Sequence, residues 1–111
     1  MIEIVIKEFL DGQLSVPSFF ERPSNPPTRF VLIEKTSGIK RNQVKSSTFA
    51  FQSYAESMYE AIKINEEIKG LIENLIEVDE VSGVHLNSDY NFTDTETKQY
   101  RYQAVFDINH Y

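Results

Sequence analysis

The segment from Ser53 to Ile76 constrains the fold of this chain more than any other. Its apolar residues recur at intervals of three and four, the spacing that places side chains on one face of an α-helix. These residues are Ala55, Met58, Ala61, Ile62, Ile68, Leu71, Ile72, Leu75 and Ile76. Glutamates and lysines occupy the positions between them. The pattern predicts an amphipathic helix with one side in water.

The ends and the interior of this helix carry further signals. Ser53 is followed three residues later by Glu56, the spacing of a capping box, so we expect Ser53 to be the N-cap. Gly70 lies inside the helix and weakens it by about 1 kcal/mol relative to alanine. The helix therefore needs a packing partner.

A second, shorter helix is predicted over residues 1–11. Ile2, Ile6 and Leu10 share one face with Val5 and Phe9, and Gly12 could end the helix in a left-handed conformation. Because β-branched residues dominate the first six positions, a strand there is the alternative.

The rest of the chain reads as strands separated by loops. Predicted strands cover residues 16–21, 29–35, 43–51, 81–90 and 99–108, and predicted polar loops cover residues 36–42 and 91–97. Pro17 has no N–H to donate, which favours an edge position for the first strand. Gly83 indicates a β-bulge. The prediction is a single α+β domain over residues 1–111, with a mainly antiparallel sheet of about five strands, two helices on one face and the order α-β-β-β-α-β-β.

The composition argues against several classes of function. The chain lacks cysteine, which excludes disulfides and thiolate chemistry, and its net charge is −6. Nucleic-acid binding needs clustered cations, yet the main basic cluster is Lys40-Arg41. No apolar run reaches the roughly 20 residues of a membrane span, and the first residues do not resemble a signal peptide. We expect a cytoplasmic protein that binds neither nucleic acid nor membranes.

Candidate catalytic and metal-binding residues do not form a recognisable motif. His85 and His110 are far apart in sequence and are expected to face solvent or a neighbouring side chain. Glu56, Glu60 and Glu67 are expected on the polar face of the long helix, solvated and unperturbed. We predict no enzyme activity, no cofactor and no metal site.

An ordered series of segments resembles the tail-completion, or tail-terminator, proteins of long-tailed bacteriophages and prophages. The segments are the N-terminal helix, Val16-Pro17, Pro26-Pro27, the strand at residues 29–38 that ends in Ser37-Gly38, residues 51–57 leading into a helix with Ala61, and the closing strand at residues 100–108. The family's usual Gly-Gly is here Ser37-Gly38.

The resemblance implies a structural role in the virion. Such proteins form a ring, typically of six copies, at the head-proximal end of the tail tube, and they join the tube to the head connector. The implied partners are other copies of this chain, the tail-tube protein and the head–tail connector proteins. Assembly would take place in the host cytoplasm. The alternative is a small intracellular module that binds or regulates another protein without catalysis.

Two polar loops are the candidate contacts with neighbouring subunits or the tail. The first contains Ile39, Lys40 and Arg41, and the second contains Asn91, Phe92, Thr93 and Lys98. Both loops are long and polar, and Ile39 and Phe92 would be costly to leave exposed in a monomer.

Overall fold

A computed structural model describes residues 1–41 and 44–111, and the side chain of Arg41 also lies outside the described residues. The predicted order of elements is confirmed. In chain order they are α1 (Ile2–Asp11), β1 (Ser18–Phe19), β2 (Phe30–Arg41), β3 (Val44–Ala55), α2 (Met58–Glu73), a 3₁₀ turn (Asn74–Glu77), β4 (Val81–Asn91) and β5 (Tyr100–His110).

The five strands form one mixed sheet in the order β1-β2-β3-β5-β4. The short β1 runs parallel to β2, and the other three neighbouring pairs are antiparallel. The predicted α+β class and mainly antiparallel sheet are therefore confirmed. β1 lies at the sheet edge, where the missing N–H of Pro17 costs nothing, and the carbonyl of Pro17 accepts a bond from Val31.

The core lies between the two helices and one face of this sheet. The largest buried side chains are aromatic: Phe49 and Phe51 on β3, and Phe106 on β5. Both helices contribute to the same cluster, α1 through Ile2, Ile6 and Leu10, and α2 through Ala61, Ile64, Ile68 and Ile72. The apolar periodicity of each helix thus covers the same sheet face.

The predicted start of the long helix is wrong. Residues 53–55 continue β3, and α2 begins at Met58 with Ser57 as its N-cap, whose hydroxyl accepts a bond from the Glu60 N–H at 3.2 Å. Ser57 and Glu60 have the same capping spacing as Ser53 and Glu56. Strand pairing decides between them, because Ala55 still pairs with Tyr100 on β5.

Other local predictions need correction. Residues 36–41 extend β2 instead of forming a loop, while the predicted positions Asn42 and Gln43 lie outside the described residues. β1 is shorter than the predicted strand at residues 16–21. Gly12 ends α1 in a right-handed conformation, with φ at −81°. The bulge at Gly83 is confirmed, and a second one lies between Leu86 and Ser88.

The two candidate caps generate a stability prediction. Ser57→Ala should lower the free energy of unfolding by about 1 kcal/mol, because the N–H of Glu60 loses its partner. Ser53→Ala is the matched control: the Ser53 hydroxyl is buried without a hydrogen bond, so its removal should be neutral or stabilising. Urea denaturation followed by circular dichroism measures both. A larger loss of unfolding free energy in Ser53→Ala than in Ser57→Ala would contradict Ser57 as the N-cap of α2.

Candidate functional site

One end of the sheet carries two groups of charged residues of opposite sign. There, Lys45 of β3 pairs with His110 of β5, and His110 pairs with Val81 of β4. Neighbouring strands are about 4.8 Å apart, so β2 and β4 lie roughly 14 Å from one another across this end. The same end therefore presents β2 and β3 on one side and β4 on the other.

The side formed by β2 and β3 is basic, and we call it the basic edge. It consists of Lys35, Ile39, Lys40, Val44 and Lys45. Ile39 is 65% exposed and Val44 is 40% exposed. Because side chains alternate along a strand, these two lie on the sheet face opposite to Lys40 and Lys45. In the described part of the chain, Lys35 alone of the three lysines contacts a carboxylate, that of Glu3 at 3.9 Å. The basic edge thus combines apolar surface with positive charge.

The opposite side is acidic, and we call it the acidic edge. It consists of Glu73, Ile76, Glu77, Asp79 and Glu80 at the end of α2, in the 3₁₀ turn and before β4. The four acidic residues are exposed, and Ile76 is 46% exposed. Like the basic edge, this edge combines exposed apolar surface with charged residues, but its charge is negative.

A cleft of about 250 Å³ opens beside the basic edge, lined by Lys35, Gly38, Ile39, Lys40, Lys45, Ser47 and His110. His110 and Ser47 are both buried, and the imidazole Nε2 lies 2.8 Å from the Ser47 hydroxyl. Burial lowers the pKa of His110, and the ammonium groups of Lys45 and Lys35 add to this effect, against a hydrogen bond to the Tyr111 backbone and the charge of Glu3.

The structure separates the two predicted interface loops. Ile39 and Lys40 belong to the basic edge, while the backbone of Arg41 ends β2 and its side chain lies outside the described residues. Asn91 pairs with Tyr102, near the opposite end of β5. Ten residues of extended strand from Lys45 to Ala55 span about 33 Å, so the two predicted loops lie at opposite ends of the sheet.

The second predicted loop is held together by its own hydrogen bonds. The Asn91 side chain accepts a bond from the Thr93 N–H at 2.9 Å, and the backbones of Asp94 and Gln99 exchange two bonds. The Arg101 guanidinium lies 4.3 Å from the Phe92 ring centroid and donates to the Phe92 carbonyl. Lys98 adopts a left-handed conformation, with φ at 55°. Phe92 therefore has an internal partner, and its side chain is 37% exposed, against 65% for Ile39.

The sheet face away from the helices carries a row of bonded polar side chains. The amide of Gln52 donates to that of Gln103 at 2.8 Å, and Gln103 donates to the Tyr90 hydroxyl. Tyr54 stacks on Phe30 with ring centroids 4.6 Å apart. These contacts link all four long strands and satisfy the buried amides, so this face is suited to holding the strands in register.

A surface ion pair corrects one electrostatic prediction. Glu56 lies between β3 and α2 instead of on the helix, and it accepts hydrogen bonds from Arg29. These bonds lower the pKa of Glu56 to about 2. The expectation of an unperturbed glutamate is wrong at this position.

The sequence prediction missed most of the two edges. The sequence pattern places Val44 and Lys45 in a predicted strand without a role, and it predicts no role for the acidic residues at the end of the long helix and after it. Two features of the sequence could have indicated the edges. Four acidic residues lie between positions 73 and 80, and basic residues are concentrated at positions 35–45. Their significance depends on the strand order, which brings these segments to one end.

Comparison with protein-family models and with curated protein sequences finds no match to this chain. In the part of the chain that the structure describes, no helix has the length and apolar character needed to cross a membrane. Within the same residues, no group of three or more His, Asp or Glu side chains is arranged to hold a metal ion. The two charged edges and the cleft are the features from which a function can be inferred.

The buried imidazole generates a pH prediction. A histidine whose pKa is lower in the folded protein than its ordinary 6.5 is protonated first in the unfolded chain. The contribution of His110 to the free energy of unfolding should therefore be constant above pH 6.5. It should decrease as the pH falls from 6.5 through the pKa of His110 in the folded protein. Urea denaturation at a series of pH values measures this slope.

The matched variants for this measurement are the two histidines. His110→Gln should remove the part of the slope that starts near pH 6.5, while His85→Gln, at an exposed position on β4, should retain it. Equal slopes in both variants would show that His110 is not the responsible group.

Proposed function

We propose that this chain is a virion structural protein that forms a ring at the head-proximal end of a long phage tail. In this role it ends polymerisation of the tail tube and joins the tube to the head connector. Its partners are further copies of itself, in a ring of about six, the tail-tube protein and the connector proteins. The proposal rests on the resemblance of the segments described above and on the opposite charges of the two edges.

The pair of edges is the observation that carries the proposal. A contact between identical patches joins two copies into a dimer, whereas a contact between two different patches repeats head to tail and closes into a ring when its rotation permits. The basic edge belongs to β2 and β3, and the acidic edge belongs to the end of α2, the 3₁₀ turn and the residues before β4 of the same subunit. Attraction between them favours the head-to-tail contact, and like-charge repulsion disfavours the symmetric one.

The apolar residues within the edges supply the other part of the contact. Electrostatic attraction mainly sets orientation and association rate, while burial of apolar surface contributes more of the affinity. Ile39, Val44 and Ile76 are at least 40% exposed in the isolated subunit. Full burial of such a side chain contributes about 1.5–3 kcal/mol relative to full exposure, so three partly exposed side chains contribute a smaller but useful amount.

Irregularities in β4, an edge strand, and in the part of β2 that β1 does not cover favour contact through side chains over continuation of the sheet. β4 has two register shifts, and β2 has one between Lys35 and Ser37. Bulges and charged residues are the features that prevent edge strands from pairing with other chains. A closed ring with a fixed number of subunits needs such protection against open-ended growth.

Charge reversal tests the contact between edges. Lys45→Glu in the basic edge and Glu77→Lys in the acidic edge should each weaken assembly, because each places like charges across the contact. A mixture of the two variants should assemble again, since every contact then joins either two native edges or two reversed ones. Multi-angle light scattering over a range of concentrations measures the mass of the assembly.

The control is Lys98→Glu, which reverses a charge in the loop at the opposite end of the sheet. It should leave assembly unchanged if the edges alone form the contact. Loss of assembly in this variant would instead support the predicted role of the loop from Asn91 to Lys98. Two single variants that assemble as well as the unmodified chain would contradict the contact between edges.

Immunogold electron microscopy tests the location in the virion. An antibody against this chain, applied to particles from the source culture, should place gold at the junction of head and tail. Antibody first adsorbed with the purified protein is the control. Gold along the tail or on the capsid would contradict the terminator role, and unlabelled intact particles, with the protein expressed, would favour the protein-binding module.

A further inference from the structure

We propose that the cleft beside the basic edge is a binding site for a small oxyanion, a phosphate group or a carboxylate. The proposal goes beyond the ring, because the cleft is built from residues of a single subunit. Its lining includes three lysines, a buried hydroxyl and a buried imidazole. These are the donors that bind carboxylate and phosphate oxygens in proteins.

The charge of the cleft contrasts with that of the whole chain. The chain carries a net charge of −6, yet Lys35, Lys40 and Lys45 all line this one cleft. In the described residues, the only carboxylate that pairs with any of them is Glu3, at 3.9 Å from Lys35. Concentrated positive charge in a concave site attracts anions more strongly than the same charges spread over a flat surface.

The size of the cleft limits its ligand to a small group. At about 250 Å³ it is smaller than the typical site of a drug-sized ligand or cofactor. Gly38 keeps part of this volume open: a Cβ atom there would lie 3.1 Å from Cε of Lys35 and 3.7 Å from the Ser47 hydroxyl. A side chain at position 38 would therefore displace the end of the Lys35 side chain, one of the donors, and would contact the Ser47 hydroxyl.

Ser47 and His110 give the site a means of responding to its ligand. Nε2 of the His110 ring lies 2.8 Å from the Ser47 hydroxyl. In the neutral tautomer that carries its proton on Nδ1, Nε2 accepts from the Ser47 hydroxyl. Protonation of Nε2 reverses this bond, so the Ser47 hydrogen becomes free to turn toward an anion, and an imidazolium joins the lysines.

Reversal of the hydrogen bond between Ser47 and His110 couples anion binding to protonation of His110. Burial lowers the pKa of His110, as do the ammonium groups of Lys45 and Lys35, while the Tyr111 backbone and Glu3 on α1 oppose this effect. An anion beside the ring favours the protonated form and should raise that pKa. By reciprocity, the anion should bind more tightly as the pH falls toward the pKa of the ring.

Nuclear magnetic resonance of the two histidine rings tests the proposal. The full chain is labelled with ¹³C-histidine and titrated with sodium phosphate, with sodium chloride at equal ionic strength as the control. His85→Gln identifies the signal of His110. We expect a saturable shift of the His110 signal and an increase in its pKa with phosphate only. Equal responses to both salts, or a response that does not saturate, would overturn the proposal.

Two variants locate the site and one serves as their control. Lys45→Gln should weaken phosphate binding about tenfold, because one charge-assisted hydrogen bond is lost, and Gly38→Ala should weaken it by crowding the donors. Lys63→Gln, on α2, should bind phosphate like the unmodified chain. Equal affinity in all three variants would contradict a site in this cleft.

A peptide of residues 73–80 identifies the source of the anion. If it saturates the His110 signal and competes with phosphate, the ligand is a carboxylate of the chain's own acidic edge. If phosphate alone binds, the ligand is a free phosphate or one on a phosphorylated molecule. Failure of the ring would leave phosphate binding by the monomer unchanged, so the two proposals are tested separately.

Discussion

Burial of three phenylalanines between the central strands and α2 is the constraint on which this structure depends. Phe49 and Phe51 of β3 and Phe106 of β5 are fully buried, and their rings lie about 6 Å apart from one to the next. Removing such a side chain from a core costs roughly 3–5 kcal/mol, a large part of the stability of a small domain. The pairing of β3 with β5 cannot shift by one residue without placing the two β3 rings and the β5 ring on opposite faces of the sheet.

The fixed register determines the surface at the ends of the sheet. Because β3 and β5 pair from Ala55 and Tyr100 to Lys45 and His110, the basic edge, the cleft and the start of β4 meet at one end. The polar row of Gln52, Gln103 and Tyr90 on the other face supports the same register. The proposed functions therefore depend on a core that sets the positions of the charged side chains.

Much of the fold could be predicted from periodicity. Alternation in the strands and the spacing of three and four in the helices identify all the main elements and the α+β class, because core burial dictates both patterns. The start of α2 could not be predicted, since Ser53 and Ser57 offer the same capping spacing. The pairing of Ala55 with Tyr100 decides between them, and that contact joins residues 45 positions apart.

The candidate site was less accessible to prediction. Ile39 and Lys40 could be selected because they lie in a polar segment and because Ile39 would be costly to leave exposed, but the acidic edge belongs to a different part of the sequence. Likewise, His110 gives no local signal that it is buried against Ser47, 63 residues away. The position of the acidic edge relative to the basic edge and the contact between His110 and Ser47 both follow from the strand order. Local sequence patterns do not reveal which strands are neighbours.

The most direct test of the account is zero-length cross-linking of the assembled protein. Equal amounts of ¹⁴N-labelled and ¹⁵N-labelled chains are mixed, assembled and cross-linked with a carbodiimide, which joins lysines to carboxylates in contact. Mass spectrometry then separates links between copies, which carry both isotopes, from links within one copy. The account predicts mixed-isotope links from Lys40 or Lys45 to Glu77, Asp79 or Glu80. Assemblies whose mixed-isotope links avoid both edges would contradict it.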